Sequence, residues 1–349
     1  MKKIILLLMI LSLEIKAQNK ELNISIDENV ETLYSVAYLS DYFLLNKHDN
    51  IFKHKLNEIC KPLKDHKAVH LFDSLSANYS FNYYQPVEWV LKFSQFPETI
   101  QENNKDLTHE NQSDKKRQLL SEFKKELIKF HQDSLYQKYL GSVASYKAAV
   151  LSTLNSSKSI YRLPVYLEDY YGKSLMSYNL IVSPLVHSGG FNIELEDANQ
   201  SKEVYAVIGP NGEVDFIPYF DKDYLEYDMI LHEFGHSFVN PLLLKYSEDI
   251  ELLSQRYYTD DLENAGKQQG YSKWKYVFNE LLLRATTICI VKRHISKEKA
   301  EKLLMYEKSI GFSLVELFIK HLDDYESNRD KYKTFDDYYP NLIEKLKVS

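Results

Sequence analysis

Two histidines four residues apart, with a glutamate beside the first, constrain this chain more than any other feature: His232-Glu233-Phe234-Gly235-His236. Residues i and i+4 share a face on a helix, one turn apart. Two imidazoles so placed can hold one metal ion, and the adjoining glutamate can reach a water bound to it. The flanking residues predict the helix. Asp223 followed by Glu226 fits a capping box at its start. Tyr227, Ile230, Phe234 and Phe238 give an apolar stripe at helical spacing, and Asn240-Pro241 reads as its stop. His232, Glu233 and His236 fall on the side away from Phe234 and Phe238.

With 10 Gly and 9 Pro in 349 residues, the chain favours long helices over a turn-rich β fold. Helical spacing recurs over Val30 to Leu45 and Ala68 to Leu75, from Pro86 through Phe93, over Arg117 to Tyr139, and from Gly141 to Leu154. Pro97 to Lys116 is polar and reads as an exposed loop. Strand-like runs follow at Leu163–Leu167, Tyr178–Val182, Phe191–Leu195, Val204–Ile208 and Val214–Ile217, with Asn211-Gly212 as a hairpin turn. Helices are expected again at 224–239, 272–294, 297–309, 311–327 and 335–347. The expected fold is α+β and mainly helical, with an N-terminal helical region over 18–160 and a second region, 161–349, in which a small sheet precedes the His232 helix.

Residues 1–17 read as a signal peptide: Lys2 and Lys3, an apolar run from Ile4 to Leu13, and Ala17 before the cleavage point. The run is too short to span a bilayer, so the mature chain is expected in the periplasm or secreted, without stable membrane insertion. The net charge is −7, and becomes about −9 once Lys2, Lys3, Lys16 and Glu14 are removed with the signal. That balance argues against nucleic acid and anionic membrane surfaces as partners. Cys60 and Cys289 are the two cysteines. Cys289 lies in an apolar run, where a buried free thiol is the commoner state.

A catalytic zinc site usually has three protein ligands and a water. A third histidine in the pattern HExxHxxGxxH is excluded, because Val239 and Leu242 stand where Gly and His would be. The remaining candidates are carboxylates: Glu248, Asp249, Glu251, Glu263 and Glu280. The first three lie in a polar stretch and Glu263 in an expected loop, Tyr258 to Gly270. Glu280 alone sits among apolar neighbours, in Val277-Phe278-Asn279-Glu280-Leu281-Leu282. A carboxylate buried there needs a partner, and a metal ion supplies one. The other partner available to it is Arg284, one turn on.

His232-Glu233-x-x-His236 with Asn279-Glu280 on a following helix resembles the gluzincin type of zinc metallopeptidase. The core His-Glu-Phe-x-His-Ser-Phe-Val-Asn-Pro is also similar to that of small secreted bacterial proteins regarded as peptidases. The resemblance covers about residues 204–294. It implies a zincin-like core, zinc held by His232, His236 and Glu280, and Glu233 as the catalytic base acting on a peptide or protein substrate. It also implies that an edge strand before the metal helix, Val204–Ile208 or Val214–Ile217, pairs with extended substrate. Arg284 stands where thermolysin-like members carry an acidic residue that buttresses a ligand histidine, so Asp228 is the expected substitute. His294, Arg284 or a tyrosine of the C-terminal helices is expected to face the oxyanion. The alternatives are a peptide- or ligand-binding protein on the same scaffold and a zinc hydrolase of non-peptide amides. His66 and His70, also four apart, lack a glutamate and read as structural. His187, a lone loop histidine, is weak evidence for anything.

Overall fold

The computed structural model describes residues 22–45, 49–93, 113–196 and 202–349. The expected signal peptide, and the expected loop up to residue 112, lie outside them. In chain order the elements are β1 (Leu22–Ser25), α1 (Glu28–Leu39), α2 (Ile51–Cys60), α3 (Lys67–Tyr79), α4 (Gln85–Leu91), α5 (Asp114–Gln132), α6 (Ser134–Ser156) and α7 (Leu163–Tyr171). Strands β2 (Tyr178–Val182), β3 (Gly190–Glu196), β4 (Lys202–Ile208), β5 (Gly212–Val214) and β6 (Ile217–Tyr219) follow. The chain ends in α8 (Ile230–Lys245), α9 (Ser247–Tyr257), α10 (Asp260–Gln268), α11 (Trp274–His294), α12 (Lys297–Ser309), α13 (Val315–Ser327) and α14 (Phe335–Val348). The fold is α+β and mainly helical. Among the described residues, no helix is long and apolar enough to cross a membrane.

One four-stranded mixed sheet, in the order β1-β2-β4-β3, lies between two cores. β1 and β2, and β2 and β4, are parallel, while β3 runs antiparallel to β4. Side chains alternate across a strand, and the alternation feeds both cores. Tyr178, Leu180, Val182, Val204, Ala206 and Ile208 face the core of the later helices. Ile181, Val207, Ile193 and Leu195 face the core of the earlier ones. The expected boundary near residue 160 is therefore crossed twice: β1 joins the sheet from the N-terminal side, and α6 contributes Tyr136 and Tyr139 to one core and Val150 and Leu154 to the other. At the seam Glu31 of α1 is buried, and accepts a hydrogen bond from Ser183 Oγ at the end of β2.

Several local expectations are corrected. Leu163–Leu167 is not a strand but the start of α7. Leu163, Leu167, Tyr170 and Tyr171 are buried at 3/4 spacing, and Pro164 sits in the first turn, where its missing N–H costs nothing. Val214–Ile217 is not one strand; it contains the tip of the β5–β6 hairpin. The turn is Asp215-Phe216, both at positive φ (52° and 63°), and Asn211-Gly212 leads into β5 instead. The expected break at Leu140–Gly141 lies at Asp133, whose side chain caps α6 by accepting from Leu135 N–H. Residues 114–116, assigned to the polar loop, already belong to α5. Three helices were not anticipated, α2, α9 and α10, so Glu263 is helical rather than on a loop. Cys60 and Cys289 are buried free thiols, as expected.

Candidate metal centre

The lead into the metal helix differs from its sequence reading. Asp221, not Asp223, is the cap; its carboxylate accepts from the N–H groups of Asp223 and Tyr224. Leu225–Met229 then winds as a π-helical turn before α8 begins. Such single turns insert one extra residue into a helix and are frequent at functional sites. Pro241 does not stop the helix. Its missing N–H costs about 3 kcal/mol in a helix interior, yet α8 continues to Lys245 because Val239, Leu242 and Leu243 beside it are buried.

α8 and α11 cross closely at Gly235. A Cβ there would lie 2.6 Å from Leu283 Cδ1 and 3.3 Å from the Tyr171 hydroxyl, so any larger residue would make the Leu283 side chain shift. The approach brings the three expected ligands together. His232 Nε2 is 3.4 Å from Glu280 Oε2, and His236 Nε2 is 3.6 Å from Glu280 Oε1. One ligand atom from each of the three residues lies within 4.8 Å of the other two. The imidazoles stand at 87° with centroids 5.1 Å apart. Glu248, Asp249, Glu251 and Glu263 take no part in this cluster.

The donor set fits a divalent cation. Glu280 Oε2 is buried and accepts no hydrogen bond, although His232 Nε2 and Arg284 Nε lie 3.4 and 3.5 Å away. Burial, then His236, then Arg284 hold the His232 pKa well below its ordinary value, which keeps the imidazole a neutral donor. Burial, followed by Glu280 and Asp228, pushes Glu233 well above the carboxylate range. Asp228 is held at about 6 by desolvation and by Glu307 and Glu280, against the pull of Arg284. Arg284 pairs with Glu280 and Glu307, and the upward shifts of Glu233 and Asp228 reflect burial and a crowding of carboxylates that a bound cation would relieve.

Glu233 itself rests on the start of β3. A Cβ on Gly190 would fall 2.7 Å from Glu233 Oε1. The same face of β3 sends Asn192 Nδ2 to Ser237 Oγ at 3.0 Å. β3, rather than β4 or the β5–β6 hairpin, is thus the edge strand beside the metal helix. The hydroxyl of Tyr224 clamps the loop before it, accepting from Gly189 N–H at 2.8 Å.

Arg284 pairs with both Glu280 and Glu307 Oε2 (2.5 Å), and stacks over Phe312. It is held from behind the ligand. The expected Asp228 buttress is not formed, since no hydrogen bond links Asp228 to His232. His236 has a buttress that the sequence reading missed: its Nδ1 meets Asn240 Oδ1 at 3.2 Å. The i, i+4 spacing of His236 and Asn240 was the available signal, masked by reading Asn240 as a helix stop. His294 does not reach the site. It lies fourteen residues along α11 from Glu280, about 21 Å by helical rise, where its Nε2 pairs with Asp169 at 3.2 Å and its ring stacks on Tyr166. The tyrosine at the site precedes α11: the Tyr271 phenol lies in the field of Glu280, Arg284 and Glu233, and burial holds its pKa well above the ordinary value. His66 is structural, as expected, its ring accepting from Ala68 N–H at the start of α3.

No curated protein and no solved structure matches the chain. A family profile described as a domain of unknown function, DUF4932, matches residues 25–345, which takes in strands β2 to β6, most of both cores and the His232/His236/Glu280 cluster. The chain belongs to the DUF4932 family.

Proposed function

We propose that the protein is a zinc-dependent metallopeptidase of gluzincin type, built on a zincin-like core and, from the character of residues 1–17, secreted or periplasmic. The observation that carries this reading is the convergence of the His232, His236 and Glu280 donor atoms within 4.8 Å, on two helices that also bury Glu233. These three residues would hold zinc. When bound, zinc supplies Lewis-acid polarisation of a carbonyl and makes water a nucleophile near neutral pH.

The remaining work falls to the chain's own groups. Glu233 takes a proton from the attacking water and returns it to the leaving amine. Tyr271 donates to the carbonyl oxygen as charge builds there. β3 offers an outer edge, alongside α8, to an extended peptide. Arg284 faces Glu280 and Glu307 rather than the open side of the cluster, and we assign it no catalytic role.

The test measures bound zinc and cleavage of a mixed peptide library by wild type, Glu233→Gln and Glu280→Ala. The reading expects Glu233→Gln to keep zinc and lose cleavage, and Glu280→Ala to lose zinc. A wild type that holds zinc but cleaves nothing would favour a binding protein on this scaffold. A wild type without zinc would sink both.

A further inference from the structure

We infer that Asn240 is the positioning residue that makes His236 a metal ligand, and that Asn279 acts by fixing Asn240. The inference rests on the zinc reading above and deepens it.

Asn240 Oδ1 receives two donors. His236 Nδ1 approaches it at 3.2 Å, and Asn279 Nδ2 donates to it at 2.8 Å. An acceptor at Nδ1 places the imidazole proton there and leaves the Nε2 lone pair free, on the side 3.6 Å from Glu280 Oε1. The opposite orientation of the Asn240 amide would give His236 a donor instead. It would put the proton on Nε2 and close the ring to a metal.

Asn279 matches the orientation seen: with its Nδ2 donating, Asn240 presents its oxygen. Asn279 is buried at 6% exposure, and its Oδ1 has no hydrogen-bond partner. Turning both amides over would bond that oxygen to Asn240 and leave the Asn279 amide nitrogen without a partner in its place. The observed arrangement leaves Asn279 Oδ1 orphaned and presents His236 Nε2 to the ligand cluster. The helix adds to the constraint. Asn240 is one turn past His236 on α8, and Asn279 is the neighbour of Glu280 on α11, so both ligand-bearing helices are tied through one oxygen.

The acceptor is neutral. Glu280 and Glu307 already share the Arg284 guanidinium, and a carboxylate at position 240 would add another acid to the cluster. It would also be a stronger acceptor for His236 Nδ1–H and make the ring a better donor.

Zinc affinity of the full chain, read by competition with a chromophoric chelator, tests the inference, with melting of the metal-free proteins as a control on folding. Asn240→Ala is expected to weaken zinc binding by about 10- to 100-fold. Asn240→Asp is expected to bind at least as tightly as wild type. Asn279→Ala should weaken binding, and Asn240→Ala/Asn279→Ala should bind no more weakly than Asn240→Ala alone. Wild-type affinity in Asn240→Ala, additive losses in the double variant, or weakened binding in Asn240→Asp each overturn the inference while leaving the zinc reading intact. If Asn240→Ala does not fold, Asn240→Asp and the Asn279→Ala loss decide the matter alone. A wild type that binds no zinc overturns both.

Discussion

Glu31 makes the stability of this fold depend on pH in a calculable way. Its carboxyl is buried at 1% exposure between α1 and the end of β2, with Oε1 bonded to Ser183 and Oε2 without a partner. Desolvation raises its pKa from 4.5 to about 7; Lys147 and the Ser183 bond pull it down, and Asp27 pushes it up. The folded chain therefore holds this proton more tightly than the unfolded chain does. The contribution is fully present below pH 4.5 and is lost as pH rises through 7. At 1.36 kcal/mol per tenfold change in proton affinity, the loss amounts to about 3 kcal/mol. Glu31→Gln mimics the protonated acid and keeps an acceptor for Ser183. Denaturant unfolding of both proteins, with chelator present to remove metal linkage, measures the difference. The gap should be near zero at pH 4.5, open between pH 4.5 and 7, and level off at about 3 kcal/mol in favour of the variant. For a chain of this size, that is on the order of 5 °C in melting temperature at pH 8. A gap that does not change with pH, or that favours wild type at pH 8, would refute the reasoning. It would mean that Lys147 compensates the ionised carboxylate in full.

Gly190→Ala places a methyl 2.7 Å from Glu233 Oε1, about 0.7 Å inside ordinary contact, at a backbone conformation that alanine accepts. Displacement of a catalytic group on that scale should cut peptide cleavage by about 100-fold, while zinc content and melting stay close to wild type; unchanged cleavage would show that Glu233 has room to spare. Tyr271→Phe should lower kcat on the order of 100-fold with little change in KM, and a raised KM with kcat unchanged would point to ground-state binding instead.

The candidate site was more legible in the sequence than the fold that holds it. His232, Glu233 and His236 were fixed by helical spacing, and Glu280 by the implausibility of a lone carboxylate among Val277, Phe278, Leu281 and Leu282. Both arguments are local and hold in any packing. Strands β2, β3 and β4 were visible as short β-branched and aromatic runs. Their order was not, since pairing is decided between distant segments, and the edge beside the His232 helix was expected to be β4 or the hairpin when β3 occupies it. Leu163–Leu167 misled because a short apolar run suits a strand or a buried helical face equally. Asn240-Pro241 misled because local propensity was set against burial of Val239, Leu242 and Leu243, and burial won. Tyr271 and the Asn279–Asn240 bond reach the site through contacts between elements, which no spacing within one element discloses, whereas the i, i+4 spacing of His236 and Asn240 was there to be read.

The sheet that divides the two cores also sets an order in time. Asn23 of β1 bonds to Asn179 of β2, 156 residues further along the chain. Closing a loop of that length costs about 2.5 kcal/mol more than closing one of ten residues. Among the described residues β1 is the first strand to emerge during synthesis, and it has no partner in the sheet until β2 has been made. Most of the helices that fill the first core are complete by then, so their packing, rather than strand pairing, must hold the early chain together. A chain stalled before residue 178 would carry an unpaired parallel edge into whatever compartment receives it, and β1 is the segment through which we would expect such a nascent chain to aggregate or to be held by a chaperone.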